Sequence, residues 1–254
     1  MIATTRTTNG RALTTAPTAR AITSSKRGTA ALVGALFLIS TATFIASNAL
    51  ITPLLSAQDF LAAVAGHRQV MIAATLTGLI EGVATVGIAL ALYPILKRTH
   101  PALALGYAGM RLVELAIAAV GFGLGGLLLV TLSGMVGSGA NTETLGAVLV
   151  GLRHWTLMLV YVYTAVGGLM LSYMLLRTRL VPPGLSVLGL IGYPVLFLAA
   201  VLDMLGLVDT VGGLGLVGLV PGGLFELVLP ISLFARGFNL KRVAEGTWLQ
   251  GSAK

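Results

Sequence analysis

The chain has 254 residues, 56% of them hydrophobic and only 9% charged, with a mean hydropathy of +0.97. Water-soluble domains carry about 25% charged residues, so a soluble fold of this length could not hide so much apolar surface, and the expected solvent is the lipid bilayer. The net charge of +8 is spread over short segments between apolar runs with no aromatic-interleaved basic face, which argues against nucleic acid and for anionic lipid headgroups as partners.

Residues 1–28, "MIATTRTTNGRALTTAPTARAITSSKRG", are rich in Thr and Ala, contain no acid and show no periodicity. They read as a disordered basic tail. The first apolar run, 29–51, is longer than the 7–15 residues of a signal-peptide core. A retained membrane helix therefore fits it better than a cleaved leader, although "SNA" at 47–49 has the small residues of a cleavage site. Five further runs follow at about 70–96, 102–132, 146–176, 184–207 and 213–237. Each has the roughly 20 apolar residues needed to cross the hydrocarbon core. The fold class predicted is all-α, a polytopic bundle of six transmembrane helices over residues 29–240, with a short cytoplasmic tail at 241–254.

Orientation follows from Lys and Arg. With the N-terminus inside, Arg6, Arg11, Arg20, Lys26, Arg27, Lys97, Arg98, Arg177, Arg179, Arg236, Lys241, Arg242 and Lys254 fall on the cytoplasmic side. Only Arg68 and Arg153 fall outside, together with Asp59, Glu143 and Asp209. The positive-inside rule then places both termini in the cytoplasm.

Five charged residues, Glu81, Arg111, Glu114, Asp203 and Glu226, remain inside the spanning runs. Each such charge opposes insertion by about 2.5–3.5 kcal/mol. At about 1.5 Å per residue, Arg111, Glu114 and Glu226 lie roughly 14–18 Å above the cytoplasmic edge, and Glu81 about 24 Å. On their helices they share a face with small residues: Arg111, Glu114, Ala118, Gly121, Gly125 on one; Gly215, Gly218, Gly222, Glu226 on another; Ala74, Gly78, Glu81, Thr85 on a third. Small faces let membrane helices approach closely, so the second, third and sixth spans are expected to converge around Arg111. Two readings of this cluster stay open. Arg111 is an internal clamp neutralised by Glu114 and Glu226, or three acids around one arginine leave at least one to bind a proton or a cation.

Three further features are weighed. Arg153, His154 and Asp203 form an outer-side polar group whose interfacial position needs no pairing, with Trp155 as interface anchor. Pro221, Gly222 and Gly223 mark a helix break one turn from Glu226, and Pro194 interrupts the fifth run; kinks of this kind are ordinary, but broken helices also build transport sites. "GFGLGG" at 121–126 has the look of a dinucleotide fingerprint, yet it lies mid-membrane after no strand and is a packing face. Cysteine is absent, and His67, His100 and His154 lack metal-ligand spacing. No metal, no cofactor and no enzyme activity are expected.

In order, "LALYPILKRTHPALALGYAGMRLVELAI", "GGLMLSYMLLRTRLVPPGLSVLGLIGYP" and "FELVLPISLFARGF" resemble the bacterial membrane family catalogued as domain of unknown function 4386. The matching positions are Arg111 with Glu114, Arg179 with Pro182, and Glu226, and the resemblance covers roughly residues 30 to 240. It implies a bacterial inner-membrane location and carries no reaction or ligand. Two functional readings follow from the residues: ion- or proton-coupled handling of a small solute, or a non-transporting structural subunit whose protein partners the sequence does not name.

Overall fold

The structure, a computed structural model, describes residues 19–137, 141–211 and 213–239. Among these every regular element is helical, and six helices are long and apolar enough to cross a bilayer. The first span is α1 (Ala19–Leu55). A short helix, α2 (Phe60–Gly66), leads into α3 (Arg68–Leu96), the second span. The third is composite: α4 (Pro101–Ala118), a π-helical turn at Ala119–Leu124, and α5 (Gly125–Ser133). Then come α6 (Thr142–Thr178) and α7 (Pro183–Met204). The sixth starts as a 3-10 helix, Leu214–Leu219, and continues as α8 (Val220–Arg236). The protein is a multi-pass membrane helix bundle.

Local chemistry sets the helix ends. Asn141 caps α6 by accepting from the Thr144 amide at 3.4 Å, and Asp59 caps α2 by accepting from Ala62 at 2.9 Å. Pro101 and Pro183 sit in the first turns of α4 and α7, where a missing N–H is no loss. Arg179 turns left-handed (φ 50°) to end α6.

Several boundaries differ from the sequence reading. Helix α1 begins at Ala19, so residues 19–28 are helical and not part of an irregular tail; once nucleated on the apolar run, a helix propagates cheaply. Residues 1–18 and the tail at 241–254 lie outside the described residues. Helices α1 and α6 each have 37 residues, about 55 Å at the helical rise, well over the roughly 30 Å of hydrocarbon. Pro194 does not interrupt its span, because α7 runs through it. The 3-10 segment ends at Leu219 and α8 begins at Val220, which puts Pro221 in the first turn of α8.

The six spans form a closed ring. Helix α1 packs on α3 and α8, α4 joins α3 to α6, and α7 joins α6 to α8. Alternation of direction gathers Arg27, Lys97, Arg98, Arg177, Arg179 and Arg236 at one end, the basic end, and Asp59, Arg68, Glu143 and Asp209 at the other. The basic half of the ring is filled by Phe37, Leu92, Leu96, Leu171, Met174 and Leu175. At the opposite end α2 inserts Leu61 and Val64 against Ile51, Met71 and Leu129. Outward faces such as Leu76, Ile80, Val83 and Leu90 are exposed and suit contact with lipid chains.

Glycine sets how closely the spans approach. A Cβ at Gly192 of α7 would lie 2.6 Å from the Gly222 nitrogen of α8, and one at Gly218 would lie 2.7 Å from Ala199 Cβ. Along α4 and its extension, Ala118, Gly121, Gly125 and Gly126 are buried. Gly121 abuts Thr156, and a Cβ at Gly126 would lie 2.5 Å from Thr75 Oγ1. The "GFGLGG" stretch therefore packs the third span between α3 and α6.

Candidate functional site

A ring of six helices leaves a hole in the middle unless side chains fill it. Here a cavity of about 220 Å³ remains, and every span contributes to its wall. Ser40 and Phe44 come from α1, Glu81 from α3, Arg111 and Glu114 from α4, Tyr161 from α6, Tyr193 from α7, and Gly223 and Glu226 from α8.

Arg111 and Glu114 share one face of α4, and Arg111 Nη1 donates to Glu114 Oε2 at 2.7 Å with both side chains 3% exposed. The Tyr107 ring lies 5.5 Å from the guanidinium. Gly167 of α6 makes room behind it, since a Cβ there would come within 3.8 Å of Arg111 Nε. That Nε finds no hydrogen-bond partner among the described residues.

Glu81 and Glu226 are in a different situation. Both are partly exposed to the cavity, and neither forms an ion pair among the described residues. Glu226 Oε1 accepts from the Tyr193 hydroxyl at 3.2 Å. Tyr193 is fixed by an edge-on contact with Phe225, ring centroids 5.6 Å apart, and by Gly168, whose missing Cβ its ring occupies. Glu81 lies beside the Ser40 hydroxyl.

The three helices expected to converge on Arg111 do bring Glu81, Arg111, Glu114 and Glu226 to one cavity, but around it and not by all packing on one another. Helix α3 packs on α4, but α8 packs on α1 and α7 and is not a packed neighbour of α4. Glu226 faces Arg111 across the cavity and bonds Tyr193, while Arg111 is matched within its own helix. A common depth puts groups at one level; in a ring it does not put opposite helices in contact.

The outer-side residues divide in two. Asp203 Oδ2 accepts from both the amide and the hydroxyl of Thr210, each at 2.7 Å, and Oδ1 lies 3.1 Å from His154 Nε2. Arg153 stays apart from that group. It sits about three turns into α6 and not at a loop. Its Nη2 donates to Asn48 Oδ1 of α1 at 3.0 Å, and the guanidinium lies 4.8 Å from the Phe122 ring of the π turn. Trp155 points outward. A second cavity, also of about 220 Å³, lies on this side and is lined by Asn48, Arg153 and His154. It continues the line of the central cavity along α1 and α6. The Asn48–Arg153 bond and the Phe44–Tyr161 ring contact, 6.4 Å between centroids, stand between the two.

The family described as Domain of unknown function (DUF4386) matches residues 32–237, which span α1 to α8. The chain belongs to this family. No curated protein and no solved structure matches it.

Sequence reasoning missed several wall residues of this DUF4386 bundle. Phe44, Tyr161 and Tyr193 line the cavity, but an aromatic inside an apolar run looks like core. One signal was there to use: Tyr193 follows Gly192 within a helix whose glycines mark the closest approach to α8. Asn48, the partner of Arg153, was equally readable as an amide inside an apolar run.

Proposed function

We propose that this DUF4386 member handles a small solute or ion at mid-bilayer, with Glu81 and Glu226 exchanging a proton or a cation beside the Arg111–Glu114 pair. The observation that carries the reading is one of charge accounting. The one guanidinium in the cavity wall is ion-paired with Glu114, so three carboxyls share one cation, and the two that face the cavity, Glu81 and Glu226, form no ion pair among the described residues. Charge is costly in a low-dielectric interior. Each of those carboxyls is therefore served by a proton or by a cation in the cavity, and swapping one for the other is the elementary step of coupling.

The assembly reading draws less support. An ion pair between residues three apart on one helix joins no two helices. The Glu226–Tyr193 bond links α7 to α8, which Gly192 already brings together. In the same proposal the basic end faces the cytoplasm and its anionic headgroups, the setting is a bacterial inner membrane, and no covalent chemistry is involved.

The test is flux in proteoliposomes of the full chain under an imposed pH gradient. Proton-coupled uptake or release that disappears with Glu226→Gln and falls with Glu81→Gln supports the proposal. Flux that persists when both carboxyls are amides refutes it.

A further inference from the structure

We infer that the ligand of the central cavity is a hydrophobic organic cation, an amine or quaternary ammonium, which reaches Glu81 and Glu226 from the lipid through a slot between α1 and α8. The inference deepens the proposed function and rests on its premise that this cavity receives a solute.

The route is read from the two seams of α8. Against α7 the backbones meet at Gly192 and Gly222, and nothing passes. Against α1 the contact is at the basic end, where a Cβ at Gly34 would lie 3.2 Å from Phe234 Cζ. Eleven residues further along α1, about 16 Å at the helical rise, the seam has opened. Ile45 of α1 and Leu227 of α8 both line the cavity, yet they are 58% and 45% exposed. Between them a Cβ at Gly223 would meet no atom within 4 Å. The rim is apolar and at mid-bilayer depth, so what lies outside it is hydrocarbon. Along the bundle axis the cavity is bounded on both sides. The packed core fills the basic half, and Phe44–Tyr161 with Asn48–Arg153 divides the cavity from the pocket beyond.

The chemistry of the occupant follows from what it meets. A molecule arriving through lipid must be largely apolar. Inside, it finds two carboxyls and the rings of Phe44, Tyr161 and Tyr193, a combination that attracts a cation through both carboxylate charge and aromatic faces. An anion would meet three acids against one guanidinium, whose Nη1 Glu114 already holds and whose Nε is unbonded among the described residues. A neutral apolar molecule would leave both carboxyls to their protons and draw nothing from either. A cavity of about 220 Å³ exceeds the roughly 150 Å³ that accommodates benzene. It suits a head of one ring with its ammonium group, and any longer chain would trail through the slot into lipid.

The experiment uses the full chain in nanodiscs of phosphatidylcholine, with empty discs as the partition blank. Radiolabelled benzyltrimethylammonium and benzyldimethyldodecylammonium serve as probes, with neopentylbenzene, the uncharged isostere of the first, as competitor. Saturable binding of both cations is expected, with no competition from neopentylbenzene. Binding of both should weaken about tenfold or more with Glu81→Gln plus Glu226→Gln, as befits loss of the charged partners. Gly223→Leu, whose side chain enters open space, should weaken the dodecyl probe by about tenfold in a variant that keeps the parent's elution profile and thermal midpoint. Competition by neopentylbenzene equal to that of the cation overturns the ligand class, using the unaltered protein. An unchanged dodecyl affinity in Gly223→Leu overturns the lipid route. Glu226-dependent proton flux without cation binding overturns this inference and spares the coupling; cation binding with this mutational pattern but no flux upholds the inference and overturns the coupling.

Discussion

Two polar groups lie inside this membrane bundle, and they are finished to different degrees. At the outer end Asp203 uses both oxygens, one on two Thr210 donors and one toward His154, and Arg153 is held by Asn48 and the Phe122 ring. At mid-bilayer Arg111 Nη1 is paired with Glu114, whereas Glu81 and Glu226 line the cavity with no ion pair among the described residues. A polar group that spends all its bonding capacity within the protein is part of the scaffold. One that keeps capacity facing a void is equipped for something that comes and goes. The difference between the two groups, more than the presence of charge in either, is what carries the functional reading.

The comparison breaks first if the Arg111–Glu114 pair is not self-contained. Arg111→Gln leaves a buried carboxyl without its partner and should cost about 3–5 kcal/mol, read as a large fall in thermal midpoint in detergent. Adding Glu114→Gln should restore most of it, whereas adding Glu226→Gln should not, because Glu226 is bonded to Tyr193 and not to Arg111. Recovery by Glu226→Gln would mean that the pair across the cavity is the real one. Next in size is Asp203→Ala, which strands the buried Thr210 donors at about 1–3 kcal/mol. A loss near zero there would remove the outer group from the scaffold.

The sequence carries some of this plainly and some not at all. Six spans are legible because a run of about 20 apolar residues has few other uses. Their ends are less so. Ala19 starts α1 and Asn141 caps α6, and hydropathy is blind to helical turns that continue beyond the hydrocarbon. The rise per residue places Arg111, Glu114 and Glu226 at one level, but it says nothing of azimuth. Whether Glu226 meets Arg111 or Tyr193 depends on ring order, which only the tertiary packing fixes. The three-residue spacing of Arg111 and Glu114 was the readable half of the answer to why charge sits there. The cavity itself was unreadable, since a void is made by six helices at once and belongs to no segment. The slot beside α8 hinges on Gly34, Gly192 and Gly223, which look alike in sequence and play opposite parts.

A smaller effect tests the link between the carboxyls and the frame. Tyr193→Phe removes the donor to Glu226 while keeping the ring packed on Phe225. It should cost about 0.5–1.5 kcal/mol in thermal or denaturant unfolding. In the flux assay it should change the rate without abolishing it, because the hydroxyl positions Glu226 and carries no proton in the proposed exchange.

The smallest expected change is the most telling. Glu226→Gln keeps the shape of the side chain, and its amide oxygen still accepts from Tyr193. Glu81→Gln likewise stays beside Ser40. If both carboxyls face a cavity and the amide oxygen keeps the Tyr193 bond, each variant, and the double, should unfold within about 0.5 kcal/mol of the parent, the scale of substitutions that break no packed contact. The same proteins should have lost coupling and cation binding. A loss of about 2 kcal/mol or more would put Glu226 alongside Asp203 as a scaffold residue. The distinction between a finished and an unfinished polar group would then disappear, and with it the reason to look for a solute. Unchanged stability with lost activity would instead separate fold from function at a single atom pair, the oxygen in Glu226 that an amide nitrogen replaces.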